Sequence, residues 1–320
     1  MKNALSHPGT VLGSTQYANI TKHPQAVEKM KAECQAWPGC RCIANVDIGP
    51  YGVGVGHKEF TGDCTQSYKF VLLWLATGDN SYALKAADII KSWSSTCQTF
   101  VGGNAPLEIA WGSVLVRSAE ILKHKWPGWK ESGVEKVFNS FIDNIILPNL
   151  TGRYKEIYKW NNNWILTIFE ALMQVYIYKD DKEKFLWTIE QYKQVAPKTF
   201  VGETGKNSEI ERDIIHASFQ LLSHIDICEM AYHQGIVLYS DLIRKSCEYI
   251  ATIINGKIPP EITKEKIKDP WYMPANWEIA INHYVGRMKM QMPESIAMLE
   301  NKKRRPESST FCWGCGWTHS

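Results

Sequence analysis

Between Thr65 and Cys97 apolar residues recur at helical spacing, stop at TGDN, and start again. Gly78 suits the left-handed position that closes a helix, and Asn80 suits the cap of the next. The stretch therefore reads as two antiparallel helices, Thr65–Thr77 and Ser81–Cys97, joined by a tight turn. Further helical runs are read at Gln25–Trp37, Leu107–His124, Gly133–Ile146 (stopped by Pro148), Asn162–Tyr178, Asp181–Val195, Ser208–Gln234 and Ser240–Ile254, with a shorter one at Asn276–Arg287. Strand patterns are scarce. Helices of 12 to 20 residues with short polar turns make the chain all-α, and their wide apolar faces suit paired helices in a ring or arc. No fixed-length repeat marks a solenoid.

Three stretches fall outside this pattern: the Gly-rich Asp47–Phe60, the proline-rich Ile258–Ala275, and everything from Met288 onward. The first lacks the spacing of a phosphate-binding loop. The second has the character of a rim beside a site. The whole chain, 1–320, is read as one domain with irregular extensions at both ends.

Composition narrows the function. With 44% hydrophobic residues in 320, the chain can bury a large core. A net charge of +3 does not call for a nucleic-acid partner, and Lys302–Arg305 reads as a solvated run. No apolar run approaches the roughly 18 residues of a membrane span. The N-terminus has no apolar signal core, so the chain is either intracellular or exported with its leader removed; the compartment is not legible, with export slightly favoured. The oligomeric state is not legible. Nine cysteines are scattered, and Cys312 and Cys315 have the spacing of half a zinc site without a second well-spaced pair.

Three polar clusters stand out. In NSEIERDIIH, read as helical, Glu209, Arg212, Asp213 and His216 fall at i, i+3, i+4 and i+7, on one face. An ordinary salt-bridged helix start explains the acids and Arg212 but not His216 at the apolar boundary. In WNNNW, one asparagine can cap the following helix; Asn162, Asn163 and Trp164 together also suit a sugar, with donors for hydroxyls or carboxylates beside an apolar ring. In WEIAINHYVGR, Trp277, Glu278, His283, Tyr284 and Arg287 gather an indole, a carboxylate, an imidazole, a phenol and a guanidinium. Its plain alternative is an amphipathic helix with a wet polar face. Trp164 and Trp277 suit core packing as well as stacking on sugars.

The order of these segments resembles the alginate lyase superfamily of polysaccharide lyases. The likeness runs through Trp74–Trp93, Leu107–Leu122, Asn162–Trp164, Glu209–His216, Ala231–Tyr239, Trp277–Tyr284 and Arg304–Gly314. It implies an (α/α) toroid or incomplete barrel of paired antiparallel helices. It also implies β-elimination on an acidic polysaccharide such as alginate, mannuronan or glucuronan. Such chemistry needs the uronate carboxylate neutralised before the C5 proton can leave. Asn163, Arg212 and His216 are suited to that, as is Glu209 if protonated. Tyr284 is expected as the acid and base, its phenol made more acidic by nearby cations, with His216 the next candidate base and His283 after it. Asp213 is expected to orient Arg212 or His216, and Asn162, Trp164, Trp277, Glu278, His283 and Arg287 to contact substrate. No cofactor and no active-site metal are expected. The competing readings are a two-carboxylate hydrolase on the same scaffold and a non-catalytic sugar-binding or structural protein.

Overall fold

The structure is a computed structural model that describes residues 4–49, 54–152, 161–267 and 276–300. The reading of 1–320 as one domain meets a chain that divides into two compact units. One comprises Met1–Lys155 with Ala171–Phe185; the other comprises Glu156–Glu170 with Leu186–Ser320.

The first unit holds α1 (Ser14–Ile20), α2 (Pro24–Gln35), α3 (His57–Thr77), α4 (Asn80–Thr96), α5 (Ala105–Trp111), α6 (Val114–Lys125), α7 (Trp129–Ser132), α8 (Val134–Phe141) and α9 (Leu147–Thr151). It also has two three-residue strands, β1 (Asn45–Asp47) and β2 (Thr99–Val101), paired in parallel with Asn45 opposite Thr99. The α3–α4 turn forms as its sequence predicts: Gly78 takes φ 73° and returns its N–H to the Trp74 carbonyl. Asp79, rather than Asn80, is the cap, accepting from Ser81 N. α3 begins eight residues earlier than expected, absorbing the end of the Gly-rich stretch.

The expected single helix Leu107–His124 breaks at Gly112–Ser113. A Cβ on Gly112 would stand 2.1 Å from the Phe60 ring, so this glycine admits Phe60 of α3 to the core. Phe60 meets Trp93 of α4 edge-on at 5.1 Å. Beneath them the fully buried Asp63 accepts from the Trp93 and Trp37 indoles at 2.9 and 3.3 Å and from Arg41 N at 2.8 Å. Pro148 does not end its helix. A π-helical segment, Ile142–Ile146, widens the turn before α9, and that shift in bonding absorbs the missing proline N–H.

The helix α10 (Asn163–Tyr178) gives its first half to the second unit and its remainder to the first. The second unit continues through α11 (Lys182–Val195), whose first residues belong to the first unit, then α12 (Ile214–His233), α13 (Asp241–Ile254), α14 (Trp277–Ile281) and α15 (Pro293–Glu300). The last corrects the irregular reading from Met288 onward. α12 is its axis, with Ala217, Leu221, Ile225, Cys228 and Ala231 among its solvent-free residues. The run Lys302–Arg305, Cys312 and Cys315 lie outside the described residues, as do parts of the Gly-rich and proline-rich stretches. The seven described cysteines are free thiols.

Candidate active site

The stripe Glu209, Arg212, Asp213 and His216 is not on one helix. Ser208–Glu211 forms a 3₁₀ turn, Arg212 follows it, and Asp213 adopts an extended backbone (φ −171°, ψ 168°) as the N-cap of α12. The helix expected from Ser208 therefore starts at Ile214. A capping aspartate competes with helical hydrogen bonding, which is why the two regular pieces meet there.

This break gives the site its central pair. Asp213 Oδ1 accepts from His216 N at 2.9 Å and from His216 Nδ1 at 2.7 Å. One oxygen thus caps the helix and fixes the imidazole, with the proton on Nδ1 and a lone pair on Nε2. Burial opposes the charge on Asp213. The hydrogen bonds from His216 and the nearby Arg212 guanidinium outweigh it and hold the carboxyl below its ordinary range. The His216 side chain keeps 25% of its surface open. Arg212 is exposed; Glu209 is buried, and its carbonyl accepts from Arg212 N and Asp213 N.

The asparagine run is tied, through Asn161 and Ser208, to the 3₁₀ turn that precedes this pair. Asn162 caps α10, its Oδ1 accepting from Trp164 N at 3.2 Å. Asn163 is buried, and its Oδ1 has no hydrogen-bond partner. An unsatisfied buried polar atom costs about 1–3 kcal/mol, so this oxygen does not serve stability. Ser208 Oγ lies 3.3 Å from the Asn161 carbonyl and 3.1 Å from Gln220 Oε1, placing the start of α10, the 3₁₀ turn and the second turn of α12 around one hydroxyl. One turn further, Thr167 of α10 meets Ser223 of α12 at 3.2 Å, and Ser223 donates to Glu170 at 2.9 Å. His216, Gln220 and Ser223 fall at i, i+4 and i+7, so the polar face exists one turn later than the sequence suggests.

The third cluster packs elsewhere on α12. Asn276 donates to Asp226, and Arg287 forms a two-pronged pair with Glu229 at 2.7 and 2.9 Å. Glu229 lies thirteen positions after His216, a rise of about 20 Å along the helix. Tyr284 lies on a π-helical segment, Asn282–Arg287, and its hydroxyl donates to the Ser240 carbonyl at 2.5 Å. Burial, then the neighbouring Cys228, Cys247 and Asp241, push its pKa far above the usual phenol value, opposite to the lowering expected from cations. His283 stacks on Tyr239 at 3.6 Å, and burial followed by the Arg287 charge lowers it to about 4. Trp277 is core, donating its indole N–H to Ser295 Oγ. Arg287 also covers the Tyr232 ring at 4.2 Å, so its charge serves Glu229 and that ring. Glu278 and Trp164 are half-buried.

Sequence reasoning missed Ser208, Gln220, Ser223 and Glu229. The available signal was the polar residues of an otherwise apolar helix: Gln220, Ser223 and Glu229 are all buried.

The alginate lyase family profile matches residues 57–253. A crystal structure of an alginate lyase from Bacteroides ovatus is similar over 98% of this chain and 100% of its own, with TM-score 0.70 and 13% identity. Alginate lyase A1-III from Sphingomonas species A1 is similar over 90% of this chain and 93% of its own, with TM-score 0.63 and 16% identity. A histidine-to-alanine variant of A1-III complexed with a tetrasaccharide matches over 89% and 92%, at TM-score 0.63 and 16% identity. No curated protein sequence matches the chain. The shared fold is the all-α class with paired antiparallel helices, the (α/α) toroid, and the class of enzyme is a polysaccharide lyase. The chain belongs to the alginate lyase family.

Proposed function

We propose that this lyase cleaves a uronic acid polymer, alginate, mannuronan or glucuronan, by β-elimination centred on His216. The Asp213–His216 pair carries this reading. An imidazole protonated on Nδ1 by its partnership with a carboxylate, and partly open to solvent, presents Nε2 as a base. Arg212 and the Asn163 carboxamide neutralise the substrate carboxylate, which acidifies the C5 proton. His216 removes that proton, the C4–C5 double bond forms, and the C4–O4 bond breaks. The same imidazolium returns its proton to the departing oxygen, which requires the proton and the leaving oxygen on the same side of the ring. Glu209, Asn162 and Trp164 border the substrate. Tyr284, first choice from the sequence, is replaced in this role by His216 because its hydroxyl is held by Ser240 and its phenol is hardened by burial.

The hydrolase reading loses support because Asp213 is committed to His216. Among the described residues no helix is long and apolar enough to cross a membrane. Incubating the protein with each polymer and following ultraviolet absorbance alongside reducing ends tests the proposal. Elimination raises both, hydrolysis raises reducing ends alone, and a binding protein raises neither.

A further inference from the structure

In the first unit, His7, Glu120 and His124 bring one ligand atom each within 4.8 Å of one another. None of them belongs to the proposed reaction. Glu120 and His124 lie one turn apart on α6; His7 comes from the segment before α1. His7 Nδ1 is 2.8 Å from Glu120 Oε1, and His124 Nε2 is 3.5 Å from Glu120 Oε2. The two imidazoles stack with centroids 4.3 Å apart and 11° between planes, so both present a nitrogen to the same carboxylate.

Two further observations point to a ligand rather than a plain ion pair. The Glu120 side chain is fully buried, yet its Oε2 makes no hydrogen bond and meets only the His124 imidazole, at the long distance of 3.5 Å. Such an atom is costly unless a charge meets it. The other nitrogen of His7 is also occupied: Nε2 lies 3.3 Å from Asp180 Oδ1, an oxygen that also accepts from Leu5 N at 2.9 Å. A carboxylate on the far nitrogen is the arrangement that orients a metal-binding histidine and makes it more basic. Asp180 holds that place at φ 54°, a left-handed conformation that side chains seldom adopt.

We infer that His7 Nδ1, Glu120 and His124 Nε2 form a binding site for a divalent transition-metal ion of the zinc type, with Asp180 holding His7 in place. Two imidazoles and one carboxylate favour such an ion over calcium or magnesium, which prefer all-oxygen shells. Ligand distances of about 2.0–2.2 Å are reached by small rotations, since the three atoms already cluster. Binding replaces the proton on His7 Nδ1, which leaves to solvent. The ion ties the N-terminal segment to α6 and contributes to stability.

The test uses the full chain, stripped with a chelator and titrated with zinc chloride, beside His124→Ala and His124→Asp. Bound zinc is counted by elemental analysis after dialysis, and the thermal midpoint is recorded with and without zinc. His124 is partly exposed, so its replacement spares the core. The proposal expects wild type to hold one more equivalent than His124→Ala and to melt higher with zinc, a shift absent in that variant. His124→Asp, which keeps a ligand, recovers part of the shift. Equal zinc content and equal midpoint shifts in wild type and His124→Ala would overturn it.

Discussion

Asp213 Oδ1 accepts from both the backbone N–H and the ring Nδ1 of His216, at 2.9 and 2.7 Å. Helix capping and imidazole orientation therefore rest on one atom, and substitution can separate them. Asp213→Asn keeps a capping oxygen, so stability falls by less than about 1 kcal/mol. It loses the charge that supports the imidazolium, so turnover falls on the order of 10²-fold or more. Asp213→Ala loses turnover similarly and also about 1 kcal/mol of stability. Thermal melts beside initial rates distinguish the two effects.

On the proposed mechanism, Asn163 contributes to the reaction at the expense of stability. Asn163→Ala removes a buried oxygen that has no partner, so the melting temperature holds or rises slightly. Loss of its donor to the substrate carboxylate lowers kcat/KM on the order of 10²-fold. A variant that melts early and cleaves normally would reverse this assignment.

Tyr284 is held by packing. Tyr284→Phe gives up one hydrogen bond to Ser240, worth about 1 kcal/mol, and keeps the edge contacts with Tyr239 and His283. Turnover stays within about threefold of wild type, where removal of a true acid or base costs 10²-fold or more. Steady-state kinetics on the variant decide between them.

His283 makes stability depend on pH. Its folded pKa of about 4 lies below the ordinary imidazole value of about 6.5. Between these values the unfolded chain binds a proton that the folded chain refuses, so stability falls as pH drops through the window. His283→Phe keeps the stack on Tyr239 and removes the group. Its free energy of unfolding should fall less steeply over pH 4–6.5, by up to about 1.4 kcal/mol per pH unit, measured by denaturant titration.

The helices were legible because 3.6-residue periodicity and turn residues are local signals: TGDN produced its turn, with only the cap moved from Asn80 to Asp79. The break at Gly112 was not legible, because it depends on Phe60, some fifty residues away, needing room. The polar clusters of the site were visible as residue types. Their arrangement was not: the Asp213 cap split the stripe, and the commitment of Tyr284 to Ser240 and Arg287 to Glu229 depends on partners distant in sequence. Trp277 shows the same limit, since only packing decides between a sugar platform and a core residue.

Elimination and hydrolysis differ in whether water enters the product, so mass spectrometry of oligosaccharides released from mannuronan in heavy-oxygen water tests the central claim most directly. The account predicts unsaturated products lighter by one water than hydrolytic fragments, carrying no heavy oxygen, and none above background from His216→Ala. Saturated products bearing the label, or unsaturated products formed as fast by His216→Ala as by wild type, would contradict it.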